Sequence, residues 1–202
     1  MLFAGHATSD DSTTRKKVYQ PYRDAQYQIG NWIQYGNLTS QIADVALIEL
    51  TTDGIPRIWS SSGTKTVCGE NPNSVQDEGY YVEITAFDAE FENGVPVDST
   101  PEVYEVEILL TEADIDPWDG EPYDELNNAW ITELGDLEPG HSGAPVYFKF
   151  YEGGSWWYSA CGIVSGGVNV TIGEETVTCG CYSTVENIQT ALSKNLDFST
   201  DY

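Results

Sequence analysis

"GHSGAP", residues 140–145, runs straight into the apolar stretch Val146-Tyr147-Phe148. Gly140, Gly143 and Pro145 suit a tight turn at the mouth of a strand: glycine tolerates backbone angles that other residues avoid, and proline fixes its own. A turn would accept many residues between the two glycines, so Ser142 asks for a further reason. A serine hydroxyl is a weak nucleophile until a base takes its proton, and that base needs a third group to orient it. Whether Ser142 is such a nucleophile therefore depends on a histidine and an aspartate elsewhere in the chain.

The chain has two histidines. His141 adjoins Ser142, and successive side chains diverge, so it is a poor base and reads as a solvated turn residue. His6, in "LFAGHAT", follows a short apolar segment and a glycine, which places it at the end of a strand. Asp44 stands near the start of "IADVALIEL" (42–50), an otherwise apolar run where an unpaired carboxylate would be costly. A buried aspartate accepting the imidazole N–H would satisfy itself and fix the histidine's tautomer. The three candidates occur in the order His6, Asp44, Ser142.

Outward from these residues, short strand-like segments recur. "YQIGNWIQYG" (27–36) has the mixed pattern and bounding glycines of a strand or hairpin, and the length of 42–50 suits a buried strand. "YYVEITAF" (80–87), "EVYEVEILL" (102–110), "APVYFKFY" (144–151), "SWWYSACGIVSGG" (155–167) and "ETVTCGCYS" (175–183) follow. "GIPRIWSSSGTKT" (54–66) carries turn signals and is the expected connection between two halves; "FENGVPVDSTPE" and "DPWDGEPYDELN" read as acidic surface loops. Only "TVENIQTALSK" (184–194) has a helical period, with Val185, Ile188 and Leu192 on one face. Many short strands and one terminal helix predict an all-β sandwich or barrel.

Five of these motifs, in order, resemble those of the chymotrypsin-like serine proteases. "FAGHAT" resembles the family's "TAGHC", "ADVALIEL" its "DIALIKL", and "PGHSGAPV" its "GDSGGPV". "CGIVSGG" is similar to the "GIVSWG" strand of the substrate cleft, and "GCYSTVENI" to the closing "GVYTRV" segment. The matches reach from residue 3 to about residue 190. The resemblance implies two six-stranded Greek-key β-barrels and a C-terminal helix in a single peptidase domain. Residues 1–60 would form a partial N-terminal barrel, and 61–202 the C-terminal barrel with its helix. It implies a serine endopeptidase with His6 as general base, Asp44 as its orienting partner and Ser142 as nucleophile. The N–H groups of Gly140 and Ser142 would form the oxyanion hole. Ser165 would help hold Asp44, and Ser165, Gly166 and Gly167 would pair with an extended substrate. Asp136, six positions ahead of the nucleophile, matches the aspartate that selects basic side chains in trypsin-like members, or is one more surface acid.

The sequence departs from the family in three places. His141 stands where an aspartate often receives the new N-terminus after zymogen cleavage, so that switch is not expected. Gly166 replaces a common tryptophan, leaving the cleft wall open. Only five residues precede His6, so the expected first barrel is truncated: either the chain is a fragment or its first lobe is rebuilt. The alternative function is a non-catalytic relative that binds peptide segments without cleaving them.

Eight Lys and Arg against 33 Asp and Glu give a formal charge of −25, and no base lies between Lys65 and Lys149. A calcium loop would need a carboxylate spacing that "TEADIDPWDGEPYDE" lacks, and an acidic disordered tail would be poor in aromatics. Acids spread over the surface with few lysines fit a protein adapted to high salt, where screening relieves self-repulsion. Nucleic acid is not an expected partner, since no basic patch could neutralise phosphates. No apolar run approaches a membrane span, and "MLFAGHAT" is not a signal peptide. A monomer acting on polypeptides outside the cytoplasm, without cofactor or metal, is the expectation. Cys68, Cys161, Cys179 and Cys181 allow up to two disulfides, but structural or free thiols fit their spacing better than a metal site.

Overall fold

The computed structural model describes residues 2–3, 17–19, 28–35, 43, 45–50, 57–60, 63–87, 90–92, 95–98, 101–116, 126–138 and 140–196. Among the described residues the structure is all-β apart from a 3-10 turn and one short C-terminal helix. Four strands come first: β1 (Leu2–Phe3), β2 (Lys17–Tyr19), β3 (Gln28–Tyr35) and β4 (Ala46–Leu50). They form an antiparallel sheet in the order β1-β4-β3-β2.

The next two strands, β5 (Arg57–Ser60) and β6 (Gly63–Glu70), form a hairpin where a turn-rich connection was expected. Its Ser-Ser-Ser-Gly turn signals sit between two runs of strand formers, Ile58-Trp59 and Thr64-Lys65-Thr66-Val67, so they mark a hairpin loop. β6 continues the larger sheet by pairing in parallel with β13 (Ser155–Ile172).

The larger sheet contains a closed ring. β7 (Tyr81–Phe87), β10 (Pro101–Ile115), β11 (Leu126–Glu133), β12 (Pro145–Glu152), β13 and β14 (Glu175–Thr184) pair in the order β12-β7-β10-β11-β14-β13, and β13 pairs back to β12. Among the described residues the N-terminal strands form no second ring. Alternation aims Val82 and Ile84 of β7, Val106 and Ile108 of β10, and Val146 of β12 into one core with Trp130 and Tyr182. Full burial of such a side chain contributes about 1.5–3 kcal/mol.

Two stretches expected as loops contain strands. β8 (Glu90–Glu92) and β9 (Val95–Asp98) pair across Asn93-Gly94, a dipeptide that favours tight hairpins. β11 escaped notice because bulges destroy its two-residue period: Asn128 has φ +54°, Glu112 in β10 has φ +53°, and the β10–β11 register shifts three times. Residues 117–125 lie outside the described residues.

A buried polar hub ties the barrel to the loop after β6. Gln76 Oε1 accepts the Tyr182 hydroxyl at 2.8 Å, its backbone carbonyl accepts Trp130 Nε1–H at 2.9 Å, and its Nε2 donates to the Asn71 carbonyl. Helix α1 (Val185–Leu192) begins at Thr184, whose hydroxyl caps the Asn187 N–H, and ends at Ser193 in the left-handed region. Its buried face of Val185, Ile188 and Leu192 is the predicted one. Ile188 and Leu192 pack with Ile163 of β13 and with Ala43 and Val45, the residues flanking Asp44. None of the four cysteines is in a disulfide; Cys161, Cys179 and Cys181 are buried and Cys68 is exposed.

Candidate functional site

Glu138 and residues 140–144 belong to a turn that enters β12. The His141 N–H donates to the Glu138 carbonyl at 3.1 Å, and the Ala144 N–H to the His141 carbonyl at 3.0 Å. Gly140 and Gly143 take φ +112° and +89°, angles that a side chain would strain. The Gly143 N–H reaches the Val164 carbonyl at 2.7 Å and the Val164 N–H reaches Ala144 at 2.9 Å, which staples the turn to β13. Between these bonds, the N–H groups of Gly140 and Ser142 have no acceptor among the described residues.

Ser142 is half-buried, and its hydroxyl donates to the Ser165 carbonyl at 3.3 Å. That carbonyl is available because Ser165 lies at a register shift between Val164 and Gly166 in the β13–β14 pairing. The Ser165 side chain is fully buried, and its Oγ lies 3.1 Å from Ser183 Oγ. Ser183 was missed as a site residue; a hydroxyl in the strand two positions before the final helix was the available signal. Pairing of β13 with β12 stops at Ile163, so on that side residues 165–167 meet no strand among the described residues.

His141 corrects the expectation of a solvated turn residue. It is buried, its ring stacks on Tyr104 with centroids 6.0 Å apart, and Nδ1 accepts the Glu138 N–H at 3.1 Å. A neutral imidazole accepting at Nδ1 carries its proton on Nε2. Its bonds close the turn on which Ser142 stands, so burial here serves the loop's shape. Asp136, by contrast, is exposed on the turn closed by the Leu137 N–H and the Leu134 carbonyl. A carboxylate that receives a basic side chain in a recess would be expected below the surface.

His6 and Asp44 lie outside the described residues. Their neighbours are placed: Phe3, three residues before His6, stands opposite Ala46, two residues after Asp44. Ala43 and Val45 pack against Ile163, two residues before Ser165.

An all-β chain with a closed six-strand ring, a terminal helix and a stapled glycine-serine-glycine turn is thus the class of protein the fold defines. No protein-family model and no curated protein matches it. Among solved structures it is similar to the murine norovirus NS6 protease, crystallised as an inactive mutant with a C-terminal extension. The two share 15% identity over 91% of this chain and 81% of that chain, with a TM-score of 0.42. An overlap at that score leaves the question of function to the chain's own residues.

Proposed function

We propose that the chain is a serine endopeptidase that hydrolyses peptide bonds through His6, Asp44 and Ser142. The observation that carries this is the turn itself: two backbone N–H groups without acceptors among the described residues flank a serine hydroxyl on a loop braced from both sides. Such donors suit an oxyanion, and a single one is commonly worth ~3 kcal/mol of barrier. Support for the other two residues is topological, from Phe3 opposite Ala46 and from the packing of Ala43 and Val45 beside β13.

In the proposed cycle an extended peptide lies along residues 165–167 as an added strand. His6 takes the Ser142 proton as Oγ bonds to the scissile carbonyl carbon, and the carbonyl's electron pair collects on oxygen opposite the Gly140 and Ser142 N–H groups. The imidazolium, oriented by Asp44, passes that proton to the leaving amine as the C–N bond breaks. Water then cleaves the acyl-enzyme by the same steps, with His6 again as base. No cofactor takes part. Side-chain selection by Asp136 is not part of the proposal, given its exposure.

One observation favours the alternative, a relative that binds peptides without cleaving them. The described partner of the Ser142 hydroxyl is a carbonyl oxygen, which accepts a hydrogen bond but cannot remove the proton. Probe labelling in molar salt, read by intact mass, separates the two. A single organophosphonate adduct, absent from Ser142→Ala, is the peptidase's outcome. No adduct on a folded chain overturns the peptidase, and peptide affinity unchanged by Ser142→Ala would then establish the binder.

A further inference from the structure

We propose that the end of the β12–β13 ribbon farthest from Ser142 docks an extended polypeptide segment carrying arginine or lysine. β12 pairs with β7 only at Val146 and Tyr147, whereas its pairing with β13 continues to Glu152 opposite Ser155. Residues 149–152 therefore present a strand edge without a neighbour among the described residues. Gly153 and Gly154, with φ +61° and +86°, close the ribbon in the tight turn that matches strand twist.

The ribbon is coated with aromatic side chains. Tyr151, Trp156 and Trp157 are 62%, 52% and 46% exposed; Tyr151 and its cross-strand partner Trp156 share one face of the ribbon and Trp157 lies on the other, while Tyr80 and Tyr81, also exposed, stand at the start of β7. Exposed aromatic area of this kind, with Tyr151 and Trp156 in contact, ordinarily marks a contact site. These rings are also held in place. Tyr151 and Trp156 meet edge to face at 5.2 Å, Trp157 Nε1–H donates to the Glu152 carbonyl at 3.1 Å, and Lys149 Nζ lies 5.4 Å from the Trp156 ring centre. Side chains already fixed lose little freedom on binding.

Charge selects the occupant. Lys149 is the one base between residues 66 and 193, and its ammonium is paired to Glu83, with Glu105 at 3.8 Å. Of the nearby acids, Glu105, Glu133 and Glu152 are exposed and Glu107 is half-buried. The Tyr81 hydroxyl donates to Glu107 at 3.0 Å, and Glu107, Glu133 and Glu105 all hold its phenol above the ordinary range. Nucleic acid and anionic lipid would be repelled by such a rim. A guanidinium would stack on the indoles and pair with the carboxylates, while its backbone adds to the free edge of β12. The six residue steps from Pro145 to Tyr151 span about 20 Å, so this surface is separate from the Ser142 turn and does not rest on the peptidase proposal.

The test is fluorescence anisotropy of a dye-labelled peptide of alternating arginine and valine, using the Ser142→Ala chain so that the peptide stays whole. Saturable binding is expected, weakening with salt, with no binding of a glutamate-valine counterpart. Trp156→Ser with Trp157→Ser should cost at least about tenfold in affinity, and so should N-methylation of alternate peptide residues. All of the substituted positions are exposed, and an unchanged melting curve shows the fold kept. Absent binding, or equal affinity in the double variant, overturns the proposal. So does a concentration-dependent dimer in sedimentation that the double variant abolishes, since the occupant would then be a second copy.

Discussion

The Ser142 hydroxyl donates to the Ser165 carbonyl across 3.3 Å, linking the turn before β12 to the register shift in β13. The contact holds the hydroxyl beside the N–H groups of Gly140 and Ser142, which have no acceptor among the described residues. It also makes the turn's backbone angles part of the site.

Gly140→Ala isolates that dependence. No atom lies within 4 Å of the position an added Cβ would take, but φ is +112°, where an L side chain is strained. The strain costs about 1–3 kcal/mol if the turn keeps its shape. If it relaxes, the Gly140 N–H swings away from the carbonyl it would serve. Single-turnover acylation should fall about 100-fold or more while the melting curve moves by a few degrees. Equal rates for both chains would remove Gly140 from the oxyanion role.

Asp136→Ser should leave the ratio of kcat/KM for arginine and phenylalanine substrates unaltered, because Asp136 is exposed on its turn. A selective loss of cleavage after arginine would place Asp136 in a substrate recess after all.

Gln76 is the buried polar side chain whose loss should matter most. Gln76→Leu takes a hydrogen-bond partner from the buried Tyr182 hydroxyl and from the partly buried Asn71 carbonyl. An unsatisfied buried group costs about 1–3 kcal/mol, so urea denaturation should show a loss in that range or somewhat above it. Adding Tyr182→Phe removes the orphaned hydroxyl and should recover part of the loss. Strict additivity of the two changes would argue that the hydrogen bond contributes nothing.

Strand alternation made β7, β12 and the start of β10 legible in the sequence, because their core face is buried and period two survives. β11 was not legible: Asn128 and Glu112 take positive φ at bulges, which scatter the apolar positions. The hairpins β5–β6 and β8–β9 were read as loops because their turn residues outweighed the flanking β-formers. Ser142 stood out through its glycines. Ser165 itself entered only through the resemblance, and its carbonyl contact with Ser142 only through the structure, since a register shift well away from the hairpin turn leaves no local mark. The burial of His141 was hidden for a similar reason. A histidine in a turn looks solvated until Tyr104, from a strand far off in sequence, covers it.

Stability should fall as the solution turns alkaline. Burial pushes the Cys161 thiol from 9.0 up to about 12 and raises the Tyr147 and Tyr182 phenols, while the Glu83 carboxylate raises the Lys149 ammonium. In each case the folded chain keeps a proton that the unfolded chain releases, so stability is full below the unfolded pKa and is lost as pH climbs above it. The loss begins near pH 9 with the thiol and steepens above the ordinary values of 10.0 for tyrosine and 10.5 for lysine. Each such proton contributes a slope of up to about 1.4 kcal/mol per pH unit. Urea denaturation from about pH 8 to about pH 11 should show this decline, and Cys161→Ala should flatten its first part. A flat profile in the parent chain would mean that these groups are not sheltered.

The charge of −25 makes the strongest demand on conditions. Glu105, Glu133, Glu152, Glu174 and Glu175 are all exposed, and Lys149 is the one Lys or Arg across this region. Like charges on a folded surface lie closer together than in the extended chain, so their repulsion favours unfolding. The distance over which they act falls from roughly 10 Å at 0.1 M salt to about 3 Å at 1 M. The melting temperature should therefore climb steeply between about 0.1 M and 1 M KCl and then level off, as screening saturates. Changing Glu174 and Glu175 to glutamine should raise the low-salt value, by about 0.5 kcal/mol or less for each site, and leave the molar-salt value unmoved. That pairing separates screening from general salting-out, which would raise both chains alike and keep rising with concentration. A melting temperature indifferent to KCl would mean the acids are neutralised by something other than dissolved ions, and would sink the salt-adapted reading of the surface.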